Sequence, residues 1–188
     1  MPSDLLVGRA VTVRDAAEAD LDAITAIWNH EVLWTDATTD TEPRNARTQR
    51  EWFERHPASY PIVVAARGEQ VLAFGALSPY RPKPAFAWTV EDSVYVERGQ
   101  RGAGLGSLIL AELIRRARAH GHRSVLARIT SGNAASIGLH ARHAFRVVGV
   151  ERRVALKRDR WLDVTVMQLP LSPSKRQIPS TASRRTTA

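Results

Sequence analysis

The sequence predicts an α/β protein with a single domain, a central mixed β-sheet carrying helices on both faces. Three observations predict it. The 188 residues suit one hydrophobic core. The apolar residues change period along the chain, between the helical spacing and the alternation of strands. The resulting elements follow the order β-α-α-β-β-β-α-β-α-β-β, which leaves no run able to form a separate all-α or all-β unit. The domain is expected over residues 9–170, after a flexible N-terminus at 1–8 and before a disordered basic tail at 171–188.

Val11 and Val13 alternate with polar neighbours and read as a short strand. Asp15, with Glu18 three residues on, has the form of a capping box whose carboxylate accepts from first-turn amides. Leu21, Ile24, Ile27, Trp28 and Val32 then recur at helical spacing, predicting a helix to about Leu33. Trp34 to Arg44 is a polar loop rich in Thr and Asp, and Arg47 to Arg55 is a second helix, closed by Pro57. From Pro61 the period becomes that of strands. Ile62 to Ala65 and Val71 to Phe74 flank the turn Arg67-Gly68-Glu69-Gln70 as a hairpin. A Pro-rich loop, Ser78 to Pro84, leads into a strand from about Phe86 to Val96. A Gly-rich turn follows, then a helix with Leu105, Leu108, Ile109, Leu113 and Ala117 on its inner side and Gly121 as its stop. Ser124 to Ile129 is the next strand, and Asn133 caps a helix to about His143. Two last strands span Arg146 to Leu156 and Trp161 to Leu169.

Composition narrows the function classes. Hydrophobic content of 44% and charged content of 24% are those of an ordinary globular protein. No apolar run approaches a bilayer span, and the first residues lack the basic and long apolar segments of a secretory signal, so a cytoplasmic location is expected. With no cysteine, disulfides, a thiol nucleophile and thiolate metal sites are excluded. The net charge of +8 raises a nucleic-acid partner, but its distribution argues otherwise. Lys175, Arg176, Arg184 and Arg185 place +4 in the Ser-, Thr- and Pro-rich tail, which cannot bury enough to offset its ordering entropy. The modest charge left on the body suits a site for anionic phosphates as well as it suits nucleic acid.

The strongest local signal is Val94-Tyr95-Val96 followed by Arg101-Gly102-Ala103-Gly104-Leu105-Gly106-Ser107 and a long helix. A strand that passes through a Gly-rich turn into a helix N-terminus builds an anion site, because first-turn amides and the helix dipole point at the ligand. Glycines there let the backbone approach a pyrophosphate, and Arg101 can add charge-assisted hydrogen bonds. A Walker loop fails for want of lysine, since Ser107 follows Gly106 directly. A dinucleotide fingerprint fails because Ser107 stands at its last glycine and Leu126-Ala127-Arg128 holds no acid.

Arg101-x-x-Gly104-x-Gly106 resembles the pyrophosphate loop of the GNAT superfamily of acetyltransferases. The resemblance covers about Ala10 to Leu169 and is strongest to the phosphinothricin (methionine sulfoximine) acetyltransferase group. Asn29-His30, Thr41-Glu42-Pro43, Trp88-Thr89-Val90-Glu91, Ser93 to Val96, Asn133 to Ser136 and Arg160 to Val164 look like that group's landmarks. The resemblance implies acetyl-CoA as cosubstrate, no metal, a small amino-acid-like amine as acceptor rather than nucleic acid or a membrane, and a homodimer. It implies cofactor contacts from the backbone at Val94, Tyr95 and Val96, from Arg101, Gly102, Ala103, Gly104, Leu105, Gly106 and Ser107, and from Asn133 and Ser136.

Acetyl transfer to an amine needs a base, and Glu91 matches the group's base, with burial to raise its pKa; an ordinary structural acid is the other reading. Asp92 is the alternative base, but strand alternation turns it to the opposite face. His140 stands where many members carry a Tyr that protonates the leaving thiolate, and reads as a general acid or a substrate contact. Its i, i+3 spacing with His143 would suit a metal, but no third ligand accompanies the pair. Arg81 and Lys83 match the cations that hold the acceptor's anionic ends, or form a solvated loop. His30 and Asn133 read equally as helix caps and as ligand contacts. Thr39 replaces the group's aromatic over the acceptor, and His143-Ala144 departs from its usual helix end. Trp161 reads as dimer interface or core. Rival functions are acetylation of a peptide N-terminus or a polyamine, and a non-catalytic module binding acetyl-CoA or nucleic acid.

Overall fold

The computed structural model describes residues 10–171. Its elements are β1 (Thr12–Asp15), α1 (Leu21–Trp34), α2 (Ala46–Glu54), β2 (Ile62–Arg67), β3 (Gln70–Pro79), β4 (Thr89–Val96), α3 (Leu105–Ala119), β5 (Ser124–Thr130), α4 (Ala134–Arg142), β6 (Arg146–Lys157) and β7 (Arg160–Pro170). The expected order is the observed one. The seven strands form one sheet in the order β1-β2-β3-β4-β5-β7-β6, antiparallel throughout except for the parallel pair β4 and β5.

Strand alternation divides the core into two layers. Val63 and Ala65 of β2 pack with Ile109, Leu110 and Leu113 of α3, and α4 adds Ile137 and Leu139 to that layer. Ile62 and Val64 face the other way, into Ile24, Ile27 and Trp28 of α1 and Trp52 of α2. Helices thus cover both faces. Gly75 lets α3 lie close on β3, since a Cβ there would come within 2.5 Å of Ile109.

The cap of α1 differs from expectation. Asp15 does not cap it; its carboxylate pairs with Arg116 on α3. Asp20 precedes a helix that starts at Leu21, but its carboxylate caps no first-turn amide; it reaches back instead, accepting from the Ala17 amide at 2.8 Å and from both Arg14 terminal nitrogens. The long-range pair to α3 wins Asp15 away, which a local motif cannot foresee. Asn133 does cap α4, accepting from the Ser136 amide at 3.1 Å. That helix closes on Ala144 at φ 66°, a left-handed position that costs a non-glycine residue about 1–2 kcal/mol. Trp161 is 54% exposed and so is not core. Leu171, placed in the tail by its composition, is buried, and its amide bonds the Arg123 carbonyl at 2.8 Å. The rest of the expected tail and the N-terminus lie outside the described residues.

Two clamps fix the loop between α1 and α2. Arg44 lies between the indoles of Trp28 and Trp52, 4.1 and 4.6 Å from their ring centroids, each contact contributing about 0.5–2 kcal/mol. Its backbone is held by Asn29, which accepts from the Arg44 amide and donates to its carbonyl, both at 2.8 Å. On the other side the β6–β7 turn brings Arg158 and Arg160 onto Asp36, while buried Lys157 donates to the Thr38 carbonyl at 2.8 Å.

Candidate active site

β4 pairs with β3 from Val90 to Val96, but with β5 only from Thr89 to Glu91. β5 meanwhile stays with β7 over its whole length. Beyond Glu91 the two parallel strands therefore part, and a cleft of about 660 Å³ opens between them. The hydrogen-bond register says which groups face it. The Glu97 amide bonds the Leu72 carbonyl and the Tyr80 amide bonds the Thr89 carbonyl, so odd-numbered residues of β4 are spent on β3. The Asp92 amide closes the last bond of the β5 ladder, so it is the Asp92 carbonyl and the amides and carbonyls of Val94 and Val96 that turn toward the gap, with no strand to receive them.

At the end of β4 the chain enters the glycine turn. Gly102 and Gly104 adopt φ of 84° and 80°, which side-chain-bearing residues resist. The first intrahelical bonds of α3 run from Ser107 and Leu108 to the Gly104 carbonyl, so the preceding amides are those at its open N-terminus. Gly106 has a different reason: a Cβ would sit 3.2 Å from Leu139 of α4. Gly102, Gly104, Leu105, Gly106 and Ser107 all line the cleft, with Ala103 carried in the same turn. Arg101 lines it too, though its guanidinium is taken by buried Glu31, binding the turn to α1. Asn133 and Ser136 line the α4 side.

Because the cleft passes through the sheet, it has a wall on each face. Glu91 stands on one. Burial raises its pKa, Arg128 pulls it down, and Asp92 and Glu151 push it up, with a net rise. Among the described residues its carboxylate has no hydrogen-bond partner. Asp92 points to the other face, as alternation requires, and meets His140 of α4: Oδ2 is 2.9 Å from Nε2. Nδ1 of the same ring lies 2.8 Å from the Ser136 carbonyl, an acceptor only. Burial works against a charged His140, but Asp92 and that carbonyl outweigh it and raise the pKa.

One end of the cleft is lined by Trp28 of α1 and by Thr38, Thr39 and Asp40 of the clamped loop. Tyr95 closes the floor, edge-on to Trp28 at 5.0 Å and stacked on Phe74 at 5.2 Å, its hydroxyl held neutral by burial beside Thr38.

Sequence and structure comparisons agree with this geometry. Residues 24–145 match the Acetyltransferase (GNAT) family. The chain belongs to that family. It is 46% identical over 169 residues to an L-methionine sulfoximine/L-methionine sulfone acetyltransferase of Pseudomonas aeruginosa, covering 88% of this chain and 98% of that one. A phosphinothricin N-acetyltransferase of Streptomyces coelicolor is 40% identical over 165 residues, covering 86% and 96%. Among solved structures, a GNAT phosphinothricin acetyltransferase from Sinorhizobium meliloti in complex with acetyl-CoA matches with TM-score 0.83 and 34% identity, over 91% of this chain and 97% of that one.

The protein is an acetyl-CoA-dependent acetyltransferase, and the residues present fit that cosubstrate: open amides at α3 for a pyrophosphate, strand amides in the gap for the amide-bearing arm. Among the described residues no cluster suited to a metal occurs. Three sequence-derived contacts fall away from the cleft wall of this acetyltransferase. Arg81 and Lys83 are exposed, Arg81 stacking over Tyr80 and Phe86 at 5.0 and 5.8 Å. His30 lines a separate hollow with Trp34, Thr35, Arg98 and Arg101. Glu31, Asp40 and the pairing of Asp92 with His140 escaped the sequence reading, since no local spacing marks partners 48 or 70 residues apart.

The raised pKa of Glu91 gives a test. The folded state binds its proton more tightly than the unfolded chain, so stability is present below the ordinary carboxylate range and lost as pH rises through the raised value. Glu91→Gln is therefore expected to melt higher than wild type at about pH 8 and level with it at about pH 4. A difference that does not grow with pH contradicts the raised value.

Proposed function

We propose that this acetyltransferase moves the acetyl group of acetyl-CoA to the amino group of a small amino-acid-like acceptor of the methionine sulfoximine, methionine sulfone or phosphinothricin type. The observation that carries the reading is an unpartnered, half-buried Glu91 at the point where β4 leaves β5. There it can take a proton from an ammonium before the nitrogen attacks the thioester. The Val94 and Val96 region supplies amides to the thioester oxygen and the pantetheine arm, with Asn133 beside it. Gly102 to Ser107 hold the pyrophosphate. His140, on the far wall, is the donor to the leaving thiolate. Asp40 and Glu91 make the acceptor end acidic enough for an ammonium, and the names of the relatives support a compact amino acid over a peptide or polyamine. Thr39 lies over the acceptor in this reading, while Arg81, Lys83 and His30 stand off the cleft wall and are given no contact with it.

We also propose a homodimer in the cytoplasm, where acetyl-CoA is available; no helix of the described residues is long and apolar enough to cross a membrane. β6 is the last strand of the sheet, and Val147, Val148, Val154 and Leu156 on it are each about half exposed, as is Trp161 on β7. So long an apolar edge supports a second copy as its cover.

Two measurements check these readings. Thiol release from acetyl-CoA is expected with methionine sulfoximine, methionine sulfone or phosphinothricin, and not with a peptide or spermidine, and Glu91→Gln is expected to lose roughly 10²-fold or more in kcat. Turnover confined to spermidine or the peptide overturns the acceptor, and full activity of Glu91→Gln overturns the base. Sedimentation is expected to show a dimer that the double change Val148→Glu, Leu156→Glu converts to monomer; a dimer indifferent to both places its interface elsewhere.

A further inference from the structure

The second wall of the cleft holds an acid that the base mechanism leaves unused. Asp92 and His140 are nearly sealed from solvent, with side chains 1% and 4% exposed, yet both line the cleft. Asp92 Oδ2 faces His140 Nε2 at 2.9 Å, while Oδ1 is buried with no partner among the described residues. The imidazole is fixed at its other nitrogen by the Ser136 carbonyl and packed edge-on against Phe145 at 5.0 Å. With Asp92 ionised, both ring nitrogens donate and the ring is a cation.

As a purely structural device this pair is poor. A buried ion pair recovers its desolvation cost only when its remaining lone pairs are satisfied, and Oδ1 is not. Two shape-matched apolar side chains would do better there. The position of the pair explains what it is for: it stands opposite Glu91, across the gap in which the thioester lies.

We propose that Asp92 is the positioning residue for the proton donor of this reaction: its bond to Nε2 keeps the His140 ring charged and seated in the cleft wall, and the Nε2 proton leaves that bond for the sulfur as charge develops there. The inference rests on the acetyl-transfer reading above. As the carbon–sulfur bond breaks, its electron pair stays on sulfur and the Nε2 proton moves to it, giving the free thiol and a neutral imidazole. A thiolate is a stronger base than an ordinary imidazole, which favours the transfer. The nitrogen loses two protons, one from the ammonium before it attacks and one as the carbon–nitrogen bond forms; both leave through Glu91 on the opposite wall to solvent, and one proton from solvent recharges His140. Asp92 touches neither substrate; it acts through the ring.

The sign of the pH dependence follows. His140 is raised above its ordinary value, so the donor stays charged to higher pH than a free imidazole and is lost as pH climbs past the raised value. The other groups about the ring do not hold this charge. His143, on the same helix and bonded to Ser107 at 2.7 Å, is lowered by burial and by His140, and Arg142 adds only positive charge. Glu91 lies on the other face.

The test compares wild type, Asp92→Asn and Asp92→Glu. Two readouts are taken: the pH profile of kcat for thiol release with the best amine acceptor, and the His140 imidazole titration followed by nitrogen NMR. Asp92→Asn is expected to lose about 10-fold to 100-fold in kcat, to leave KM for acetyl-CoA within about 2-fold, and to move both the basic limb and the imidazole titration to lower pH. Asp92→Glu, which keeps the charge, is expected to recover part of each. If Asp92→Asn only lowers the melting temperature while profile and titration stay put, the residue is structural and the proposal falls alone. If wild type releases no thiol with any amine, the acetyl-transfer reading falls and takes this proposal with it.

Discussion

Everything in this active site follows from one strand having unequal loyalties. β4 keeps its ladder with β3 to the end but leaves β5 after three pairs. A strand that loses a neighbour inside a sheet exposes amides and carbonyls that must find partners, because an unpaired buried backbone group costs as much as a lost hydrogen bond. A substrate arm rich in amides and a thioester oxygen can supply them. The same divergence turns a flat surface into a passage with two faces. Glu91 and Asp92, adjacent in sequence and opposed by alternation, therefore come to stand on either side of the gap.

Around that gap the protein spends its charges on holding the walls. Arg101 is drawn to Glu31, Arg158 and Arg160 to Asp36, and Lys157 to the carbonyl of Thr38. These contacts fasten the glycine turn, the β6–β7 turn and the α1–α2 loop to one another, so the acceptor end is built from segments far apart in sequence. Glu91 is the exception: a carboxylate without a hydrogen-bond partner among the described residues, with a pKa raised by burial. A group destabilised in this way is what base chemistry near neutrality requires.

Much of this was legible in the sequence because it is local. The glycine turn ahead of α3, the Asn133 cap, the Gly121 stop and the β2–β3 hairpin each announce themselves within a few residues. The opposed faces of Glu91 and Asp92 followed from alternation alone. Pairing across distance was not legible. Asp15 looked like a cap and is instead bound to Arg116. Arg101 looked free for phosphate and is bound to Glu31. Arg44, an unremarked loop residue, became a wedge between two tryptophans. His140 was found by resemblance, but nothing near it in sequence points to Asp92. The parting of β4 from β5 left no trace either, since Ser93 to Val96 read as ordinary strand.

The most direct test of the account is whether the cosubstrate occupies the gap between the strands. The measurement is the backbone amide spectrum on titration with acetyl-CoA, read at Val94, Val96 and Gly102 to Gly106. The account predicts large shifts and slowed hydrogen exchange at both strand positions together with the glycine turn. Changes confined to the turn, with Val94 and Val96 unmoved and still exchanging, would contradict it.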